Sequence, residues 1–363
     1  MQTVIEEITT IPKRKIRSVL NNPKKAMAAV SLVYVNNHEQ GIARIKKGNA
    51  FNYLLDNKQV KDTKTLQRIK SLVIPPAWED VWICRIGNGH LQATGIDAKK
   101  RKQYKYHSLW NIFRNQAKFY HIYDFGKSLP AIRLQLEKDI SLPGLPREKV
   151  LATIVSLMER TSIRIGSNFY EKLYGSFGLT TLKDKHIKLN GNRLYFSFKG
   201  KKGVYHNISI NNKKLISIVL KCKDIPGKEL FQYYDESGER RPIDSGMVNE
   251  YIKSISGGDF TAKDFRTWSG TIHGLITLKE LGGYETETDK KKNIATMLNT
   301  VAEHLGNTPT VCKKYYVHPV LISLYENKTL EKHLQQLDTI EVDDNKTGLT
   351  AMETILMNII KTN

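Results

Sequence analysis

The chain has 363 residues, 40% of them apolar and 26% charged, which is ordinary for a globular protein and long enough for about two domains. Its 57 Lys and Arg outnumber 36 Asp and Glu to give a net charge of +21, and this excess indicates a polyanionic partner. No apolar run is long enough for a membrane span, the N-terminus lacks the order of a secretory signal, and the three cysteines show no CxxC spacing. We therefore expect a reduced, cytoplasmic protein with no zinc knuckle or disulfide framework, and a nucleic acid as its partner rather than a membrane.

The first 26 residues are polar and basic, include Pro12 and Pro23, and lack sustained apolar periodicity. This composition predicts a flexible basic arm over residues 1–26. Two interpretations stay open, because the arm could contact DNA or only keep the protein in solution.

Residues 27–114 have the pattern of a small β-rich domain. Short β-branched and aromatic runs, such as SLVYV at 31–35 and VWIC at 81–84, are separated by turn residues. The Asn88–Gly89 pair predicts a hairpin, and one helix is expected at Thr63–Leu72.

A basic segment lies inside this domain, where five of the seven residues 99–105 are Lys or Arg. Tyr104 and Tyr106 alternate with Lys105 on an expected strand, which places both rings on one face. Basic side chains neutralise phosphates, and Gln and Tyr can bond to base edges or phosphate oxygens, so the segment predicts a DNA-contacting surface. The alternative is a charged face that only meets solvent. The candidate DNA contacts are Lys99, Arg101, Lys102, Gln103, Tyr104 and Tyr106.

Beyond Arg114 the pattern becomes helical, with apolar residues at helical spacing over 150–158 and Pro146 just before them. This pattern of apolar residues predicts a larger, mainly helical domain over residues 115–330. It is interrupted by a predicted three-stranded meander at 187–210, whose last connection, Gly200–Gly203, presents lysines on a tight turn. Lysines at such tips are also common solubility features.

Arg164 stands between Ile163 and Ile165, at the edge of an apolar element, where a guanidinium needs an anionic partner. Two kinds of partner are possible. One is a carboxylate of the chain, for instance Glu159 or Glu171, and the other is a phosphate.

Helical patterning resumes near Leu215 and places Lys263 and Arg266, three residues apart, on the same side of one helix. The stretch VAEHLGNTPTVCKKYYVHP (301–319) then offers a Gly–Asn turn and the adjacent tyrosines Tyr315 and Tyr316. A tyrosine becomes a nucleophile toward phosphate only where cations help it to lose its proton and stabilise the developing charge. Residues 331–363 are expected to form a helical tail. Together these patterns predict an α+β fold: a small β-rich N-terminal domain and a larger, mainly α-helical catalytic domain that contains the meander.

At this point the chain resembles a known family. The order Arg164, Lys201, Arg266, Asn307, Tyr316 is similar to the catalytic series of type IB DNA topoisomerases, in the compact poxvirus-like and bacterial branch. The likeness extends from about Leu32 to Val320. It is carried by IPPAWEDVWIC (74–84), GHLQATGIDAKKRKQYKYH (89–107), GSFGLTTLKDKHIKL (175–189), KDFRTW (263–268) and LGNTPTVCKKYYVHP (305–319). The implied catalytic fold is that shared by tyrosine recombinases and these topoisomerases.

The resemblance implies a role for each of these residues. Tyr316, nine residues after Asn307, would attack a DNA phosphodiester to give a 3′-phosphotyrosyl link and a free 5′-hydroxyl. Lys201 would protonate the departing 5′ oxygen, and Arg164 and Arg266 would stabilise the phosphate in the transition state. Asn307 stands where the poxvirus enzymes carry histidine, and asparagine is usual in the bacterial branch.

The same resemblance extends to contacts and partners. Gln103, Tyr104, Tyr106 and Tyr170 match DNA-contacting positions, and Lys263 fits a phosphate contact beside Arg266. The implied partner is double-stranded DNA, clamped by a monomer, in a bacterial cytoplasm and nucleoid or in a virion. No cofactor and no metal are expected, because arginines can carry the charge and the chain lacks a GxxxxGK[ST] loop and a clustered Asp/Glu pattern.

Three other classes of protein share some of these features. A tyrosine recombinase uses a related site but usually has histidine three residues before its second arginine, where this chain has Lys263. A non-catalytic DNA-binding protein would explain the charge and would leave the ordered five-residue set accidental. An RNA-binding module is not favoured, since aromatic RNP-type strands are not evident.

Overall fold

A computed structural model describes residue 27 and residues 31–48, 50–336 and 347–362, with the backbone alone at 115–117 and 120. The predicted N-terminal arm over 1–26 lies outside the described residues. The chain divides into two compact units, Met1–Tyr120 and His121–Asn363. None of the helices in the described part of the chain is long and apolar enough to cross a membrane.

The first unit contains a six-stranded antiparallel sheet in the order β3-β2-β1-β4-β5-β6. A small core of Ile42, Ile69, Val81, Ile83 and Ala93 lies against it. The strands are β1 (Ile42–Lys47), β2 (Ala50–Leu55), β3 (Lys58–Gln59), β4 (Glu79–Ile83), β5 (Leu91–Ile96) and β6 (Lys102–Tyr106).

The helix predicted in this unit is confirmed as α1 (Thr63–Ser71), which buries Ile69. Its first turn is capped by Asp62, whose side chain accepts a hydrogen bond from the Thr65 backbone amide at 2.8 Å. A carboxylate in this position satisfies one of the amides that a helix start leaves unpaired.

The predicted hairpin between β4 and β5 is confirmed, but the two-residue turn at Asn88–Gly89 is wrong. Strand β4 ends at Ile83 and β5 begins at Leu91, so the connection is longer. Gln92 explains the difference: its side chain is buried, and its Nε2 donates to the carbonyls of Ile86, Gly87 and Gly89. One side-chain amide thus stabilises a loop that strand pairing would otherwise have shortened.

The second unit is mainly helical. The long helix that leads into it, α2 (Ser108–Ile140), begins in the first unit, within the range expected to belong to the β-rich domain. The helices that follow are α3 (Arg147–Thr161), α4 (Asn168–Tyr174), α5 (Lys213–Lys223), α6 (Ser245–Ser256), α7 (Ala262–Leu281), α8 (Glu287–Leu305), α9 (Pro309–Tyr315), α10 (Pro319–Glu326), α11 (Leu330–Leu334) and α12 (Ala351–Thr362).

The predicted meander is present as the antiparallel sheet β7-β8-β9, with β7 at Ile187–Asn190, β8 at Arg193–Lys199 and β9 at Tyr205–Ile210. Leu194, Phe196 and Phe198 alternate along β8 and are all buried, as strand periodicity predicts for one core-facing side. A further short pair, β10 (Gln232–Tyr234) and β11 (Arg240–Pro242), completes the strands among the described residues.

The C-terminal helix α12 belongs to the core of the second unit, where Ile355, Leu356 and Ile359 are fully buried. Its Glu353 pairs with Arg133 of α2 at 2.8 Å and accepts a hydrogen bond from the Trp268 indole at 2.9 Å. Burial would raise the pKa of the Glu353 carboxyl, but the hydrogen bonds and charge of Arg133 outweigh it and hold that pKa below its usual value.

Candidate active site

The site begins where α3 ends. Ser162 follows the last turn of α3 in the left-handed conformation, at φ 53°, and is almost fully buried. The chain then runs extended, and the Arg164 carbonyl accepts a hydrogen bond from the Leu179 amide at 2.9 Å. Because Ile163 is also buried, the backbone on both sides of Arg164 is held in place.

The guanidinium of Arg164 contacts the turn after α8 rather than a carboxylate. Its Nη2 donates to the Gly306 carbonyl at 3.1 Å and to Asn307 Oδ1 at 2.7 Å. The carboxylates proposed as partners are engaged elsewhere, since Glu159 pairs with Arg133 and Glu171 with Lys183. The interpretation of Arg164 as half of such an ion pair is therefore wrong.

Arg266 lies on α7 and is only 5% exposed. Its Nη1 donates to the Ser162 carbonyl, and its Nη2 donates to the Leu305 carbonyl at 2.8 Å. Both carbonyls lie at helix C-termini, where the last C=O groups have no partner within the helix and carry partial negative charge. These contacts hold the guanidinium without neutralising its charge.

Tyr316 stands directly after α9, and the centre of its ring lies 5.3 Å from Arg266 Cζ. Its carbonyl accepts a hydrogen bond from Thr271 Oγ1 at 3.0 Å, and a Cβ at Gly270 would come within 2.9 Å of the same carbonyl. Helix α7 thus supplies Arg266 and also fixes the backbone of Tyr316. Tyr315 is 38% exposed, with Lys314 Nζ 5.4 Å from its ring centre.

Lys201 opens a 3₁₀ turn, Lys201–Gly203, at the tip between β8 and β9. The tip is closed by a hydrogen bond from the Gly200 amide to the Val204 carbonyl at 2.7 Å. His206 packs behind it: a Cβ at Gly200 would lie 2.6 Å from its ring, and a Cβ at Gly306 would lie 2.4 Å from it. The histidine therefore sits between the lysine tip and the turn that precedes Asn307.

The pKa values of the three cations of the site are lowered, chiefly by loss of contact with water. Burial, followed by the charge of Arg266, lowers the pKa of Arg164 to about 10. Burial also lowers the pKa of Arg266, while Tyr316 opposes the shift. The side chain of Lys201 is exposed, but partial desolvation and then the charge of Arg164 lower its pKa as well. Two buried guanidiniums beside an ammonium group favour binding of an anion.

Two donors in the site also lack partners. Arg266 Nε and Asn307 Nδ2 are buried without a hydrogen bond to any described residue. Buried donors are rarely left unpaired, and an anion with several acceptor oxygens, such as a phosphodiester, satisfies them. Within the described part of the chain, no cluster of three His, Cys, Asp or Glu side chains could hold a metal ion.

Strand β6 separates the candidate DNA contacts by face. The rings of Tyr104 and Tyr106 stack with centres 6.1 Å apart, and Lys102 Nζ lies 5.8 Å from the Tyr104 ring, so these three share one face. Arg101 and Gln103 both bond to Asp97 instead, at 2.8 and 2.9 Å. The remaining candidate of the segment, Lys99, is exposed in the turn before β6.

The last two candidate DNA contacts lie around the catalytic set. Tyr170 on α4 is 42% exposed, and Lys201 Nζ lies 5.9 Å from its ring centre. Lys263 is exposed in the first turn of α7, and its charge contributes to the lowered pKa of Lys201. The structure thus brings the five predicted catalytic residues and these two contacts into one unit.

Sequence reasoning missed four residues that hold this site: Ser162, His206, Thr271 and His304. Each acts through a contact between segments far apart in the chain, such as Ser162 with Arg266 or Thr271 with Tyr316. Serine, threonine and histidine at isolated positions carry no local signal for such contacts.

Comparisons with known proteins identify the family to which the chain belongs. Residues 99–341, more than half of the chain, match the family model for the catalytic core of eukaryotic DNA topoisomerase I. Residues 50–97 match the N-terminal domain of bacterial DNA topoisomerase IB.

Individual relatives point the same way. The chain is 33% identical over 296 residues to DNA topoisomerase 1B of Acanthamoeba polyphaga mimivirus, a match that covers 79% of this chain and 88% of the viral protein. It is 26% identical over 239 residues to DNA topoisomerase 1B of vaccinia virus strain Copenhagen, covering 64% and 72%. For DNA topoisomerase 1 of rabbit fibroma virus the identity is 24% over 228 residues, covering 61% and 68%.

The fold, the site and these matches define a class of enzyme that breaks and rejoins DNA. The chain belongs to the type IB DNA topoisomerases, in the branch that includes the poxvirus and bacterial enzymes. It binds DNA and has the DNA-relaxing activity of that family.

The close approach of α7 to Tyr316 can be tested at Gly270. In Gly270→Ala the added methyl would meet the Tyr316 carbonyl and Cβ at 2.9 and 3.0 Å, so the tyrosine must shift. We expect single-turnover DNA cleavage to slow by about 10- to 100-fold, as small displacements of reacting groups do.

The matched control is Gly274→Ala on the same helix, whose methyl would meet only the flexible end of Met297, at 3.3 Å, and atoms farther away. That variant should cleave at the wild-type rate, with thermal melting recorded for both proteins. Equal cleavage rates for the two variants would contradict the role of Gly270.

Proposed function

We propose that this topoisomerase relaxes duplex DNA by a transient break in one strand, with Tyr316 as the nucleophile. Tyr316 gives up its phenolic proton to solvent, and its oxygen attacks the phosphorus of a phosphodiester as the bond from phosphorus to the 5′ oxygen breaks. The products are a 3′-phosphotyrosyl link and a free 5′-hydroxyl. Rotation of the downstream end changes the linking of the two strands, and attack of the 5′-hydroxyl on phosphorus then restores the DNA and releases the tyrosine.

The observation that carries this proposal is that Arg164 and Arg266 both interact with Tyr316, while no carboxylate among the described residues pairs with either guanidinium. Forked, permanently charged donors match the oxygens of a phosphate and stabilise the charge that develops on it. Asn307 adds its unpaired Nδ2 as a neutral donor. ATP is not required, because the phosphotyrosyl link conserves the bond energy, and the two guanidiniums supply the positive charge that a metal would otherwise provide.

We assign the general acid to Lys201. When the 5′ oxygen leaves, it needs a proton, and an ammonium group with a lowered pKa gives one up more readily than an ordinary lysine. The lowered pKa of Lys201, which comes from burial and from Arg164, supports this role. In religation the same amine takes the proton back from the 5′-hydroxyl.

We propose that the enzyme acts as a monomer that clamps the duplex, with contacts from both units. The exposed face of β6, defined by Lys102, Tyr104 and Tyr106, would bind in the first unit. Lys263 and Tyr170 would bind beside the catalytic set in the second. Such an enzyme works where its DNA is, in a bacterial cytoplasm and nucleoid or in a virion.

The nucleophile is tested by relaxation of supercoiled plasmid in EDTA without ATP. Tyr316→Phe removes the only oxygen that can form the link, so activity should fall by more than about 1,000-fold. Tyr315→Phe, the neighbouring and more exposed tyrosine, is the matched control and should relax plasmid normally. Persistent relaxation by Tyr316→Phe would contradict the assignment of Tyr316 as the nucleophile.

The acid is tested by comparing Lys201→Ala with Lys201→Arg. Arginine keeps the positive charge but holds its proton too tightly to act as an acid, so both variants should slow cleavage by about 100- to 10,000-fold. A substrate with sulfur in place of the bridging 5′ oxygen needs no proton on departure and should restore most of the rate in both. Wild-type cleavage by Lys201→Arg would mean that Lys201 contributes only charge.

The β6 surface is tested by the salt dependence of DNA binding. Lys102→Ala should lower the slope of log affinity against log salt concentration by about 1, because one phosphate contact is lost. Lys279→Ala is the control: it is also exposed, but lies 13 residues beyond Arg266 on α7, about 20 Å along the helix. The same slope for Lys102→Ala and wild type would remove Lys102 from the DNA contacts.

A further inference from the structure

Near Arg266, the second unit contains a group of polar side chains that the proposed chemistry does not use. Ser162 Oγ lies 2.7 Å from Ser269 Oγ and 3.0 Å from His304 Nε2, and Ser269 Oγ lies 3.2 Å from the same nitrogen. These three side chains, called here the serine–histidine cluster, lie within hydrogen-bond distance of one another. They come from the end of α3, from α7 and from the end of α8.

The cluster is linked to Arg266 at both of its carbonyl contacts. Ser162 supplies one of these carbonyls itself, and Leu305, which supplies the other, directly follows His304. Ser269 lies on α7 three residues after Arg266. Each member of the cluster therefore bonds to the Arg266 guanidinium through its own carbonyl or lies within three residues of Arg266 or of one of its partners.

The same two chain segments are joined a second time, through Arg164. Arg164, two residues after Ser162, bonds to the Gly306 carbonyl and to Asn307 Oδ1. Segment 162–164 is thus tied to segment 304–307 at one end by the bond between Ser162 and His304. At the other end it is tied by the bonds of Arg164.

Ser162 is almost fully buried, and Ser269 and His304 are half-buried, so their polar atoms lose part of their contact with water and are stabilised by bonding to one another. His304 is held further by His273, whose ring centre lies 3.6 Å from its own. Burial, then His273, then Arg266 lower the pKa of His304 to about 4. The His304 imidazole is therefore neutral at physiological pH and adds no charge to the site.

We infer that His304 is a positioning residue for the transesterification: through Ser162 and Ser269 it joins the ends of α3 and α8 and thereby sets the place of Arg266 at the scissile phosphate. This inference rests on the proposed role of Arg266. The side chain of His304 bonds to the hydroxyl groups of Ser162 and Ser269. It acts by fixing the two carbonyls that orient the guanidinium.

The test measures single-turnover cleavage at saturating enzyme, together with DNA affinity, for His304→Leu, His304→Gln and Ser269→Ala. His304→Leu should cleave about 10- to 100-fold more slowly, because a displaced guanidinium stabilises the transition state less, while DNA affinity stays the same. His304→Gln can bond to both hydroxyls and should recover most of the rate. Ser269→Ala removes a single oxygen and should show a smaller loss, so it keeps the test decisive if His304→Leu does not fold.

A double-mutant comparison distinguishes positioning from a general loss of structure. If His304 acts through Arg266, then His304→Leu should cause no further slowing in an Arg266→Ala background. The matched control is His186→Leu, a buried histidine of the same unit that accepts a hydrogen bond from the Lys183 amide, and it should cleave normally.

Three results would overturn the inference. They are wild-type cleavage by His304→Leu, an equal loss in His304→Gln, and an undiminished effect of His304→Leu in the Arg266→Ala background. A wild-type rate for Arg266→Ala alone would instead contradict the proposed function. A slow Arg266→Ala with a fast His304→Leu would contradict only the positioning role.

Discussion

The candidate active site of the second unit depends on two arginines that are held by backbone carbonyls and a side-chain amide rather than by carboxylates. Arg266 bonds to the carbonyls of Ser162 and Leu305, and Arg164 bonds to the Gly306 carbonyl and the Asn307 side chain. A carboxylate partner would have offset the desolvation cost of a buried guanidinium more completely, but it would also have neutralised the positive charge of that guanidinium. Carbonyls at helix ends offset part of the desolvation and leave the positive charge available to a phosphate.

This constraint explains why so many helix ends meet at one place. Helix α3 ends in a left-handed Ser162, and α8 ends in a left-handed Gly306, and each ending turns the chain sharply toward the site. Gly306 is suited to that conformation and to the close approach of His206, which a Cβ would block. Helix α7 runs past both ends and carries Arg266, while its Gly270 and Thr271 hold the backbone of Tyr316.

The two units differ in their cores and in the side chains that they expose. The first unit has a small core and an exposed edge strand rich in lysine and tyrosine, which suits contact with a long polyanion. The second has an extensive core, into which α12 packs with the buried pair of Arg133 and Glu353. A rigid scaffold of this kind suits chemistry that depends on the placing of charged groups within fractions of an ångström.

The sequence by itself determined a great deal. Period-two alternation predicted the buried face of β8, helical spacing placed Lys263 and Arg266 together, and the charge excess indicated nucleic acid. The ordered set from Arg164 to Tyr316 indicated the family, which the comparisons bear out. Local periodicity and motif order are properties of neighbouring residues, so they can be read without a structure.

Only the tertiary structure decided what surrounds those residues. Whether Arg164 met Glu159, Glu171 or a phosphate site could not be read from the chain, because all three were compatible with its apolar neighbours. The length of the loop from β4 to β5 depended on the reach of one buried side chain, Gln92. The serine–histidine cluster joins residues more than a hundred positions apart, from Ser162 to His304, and such contacts arise from packing rather than from any local pattern.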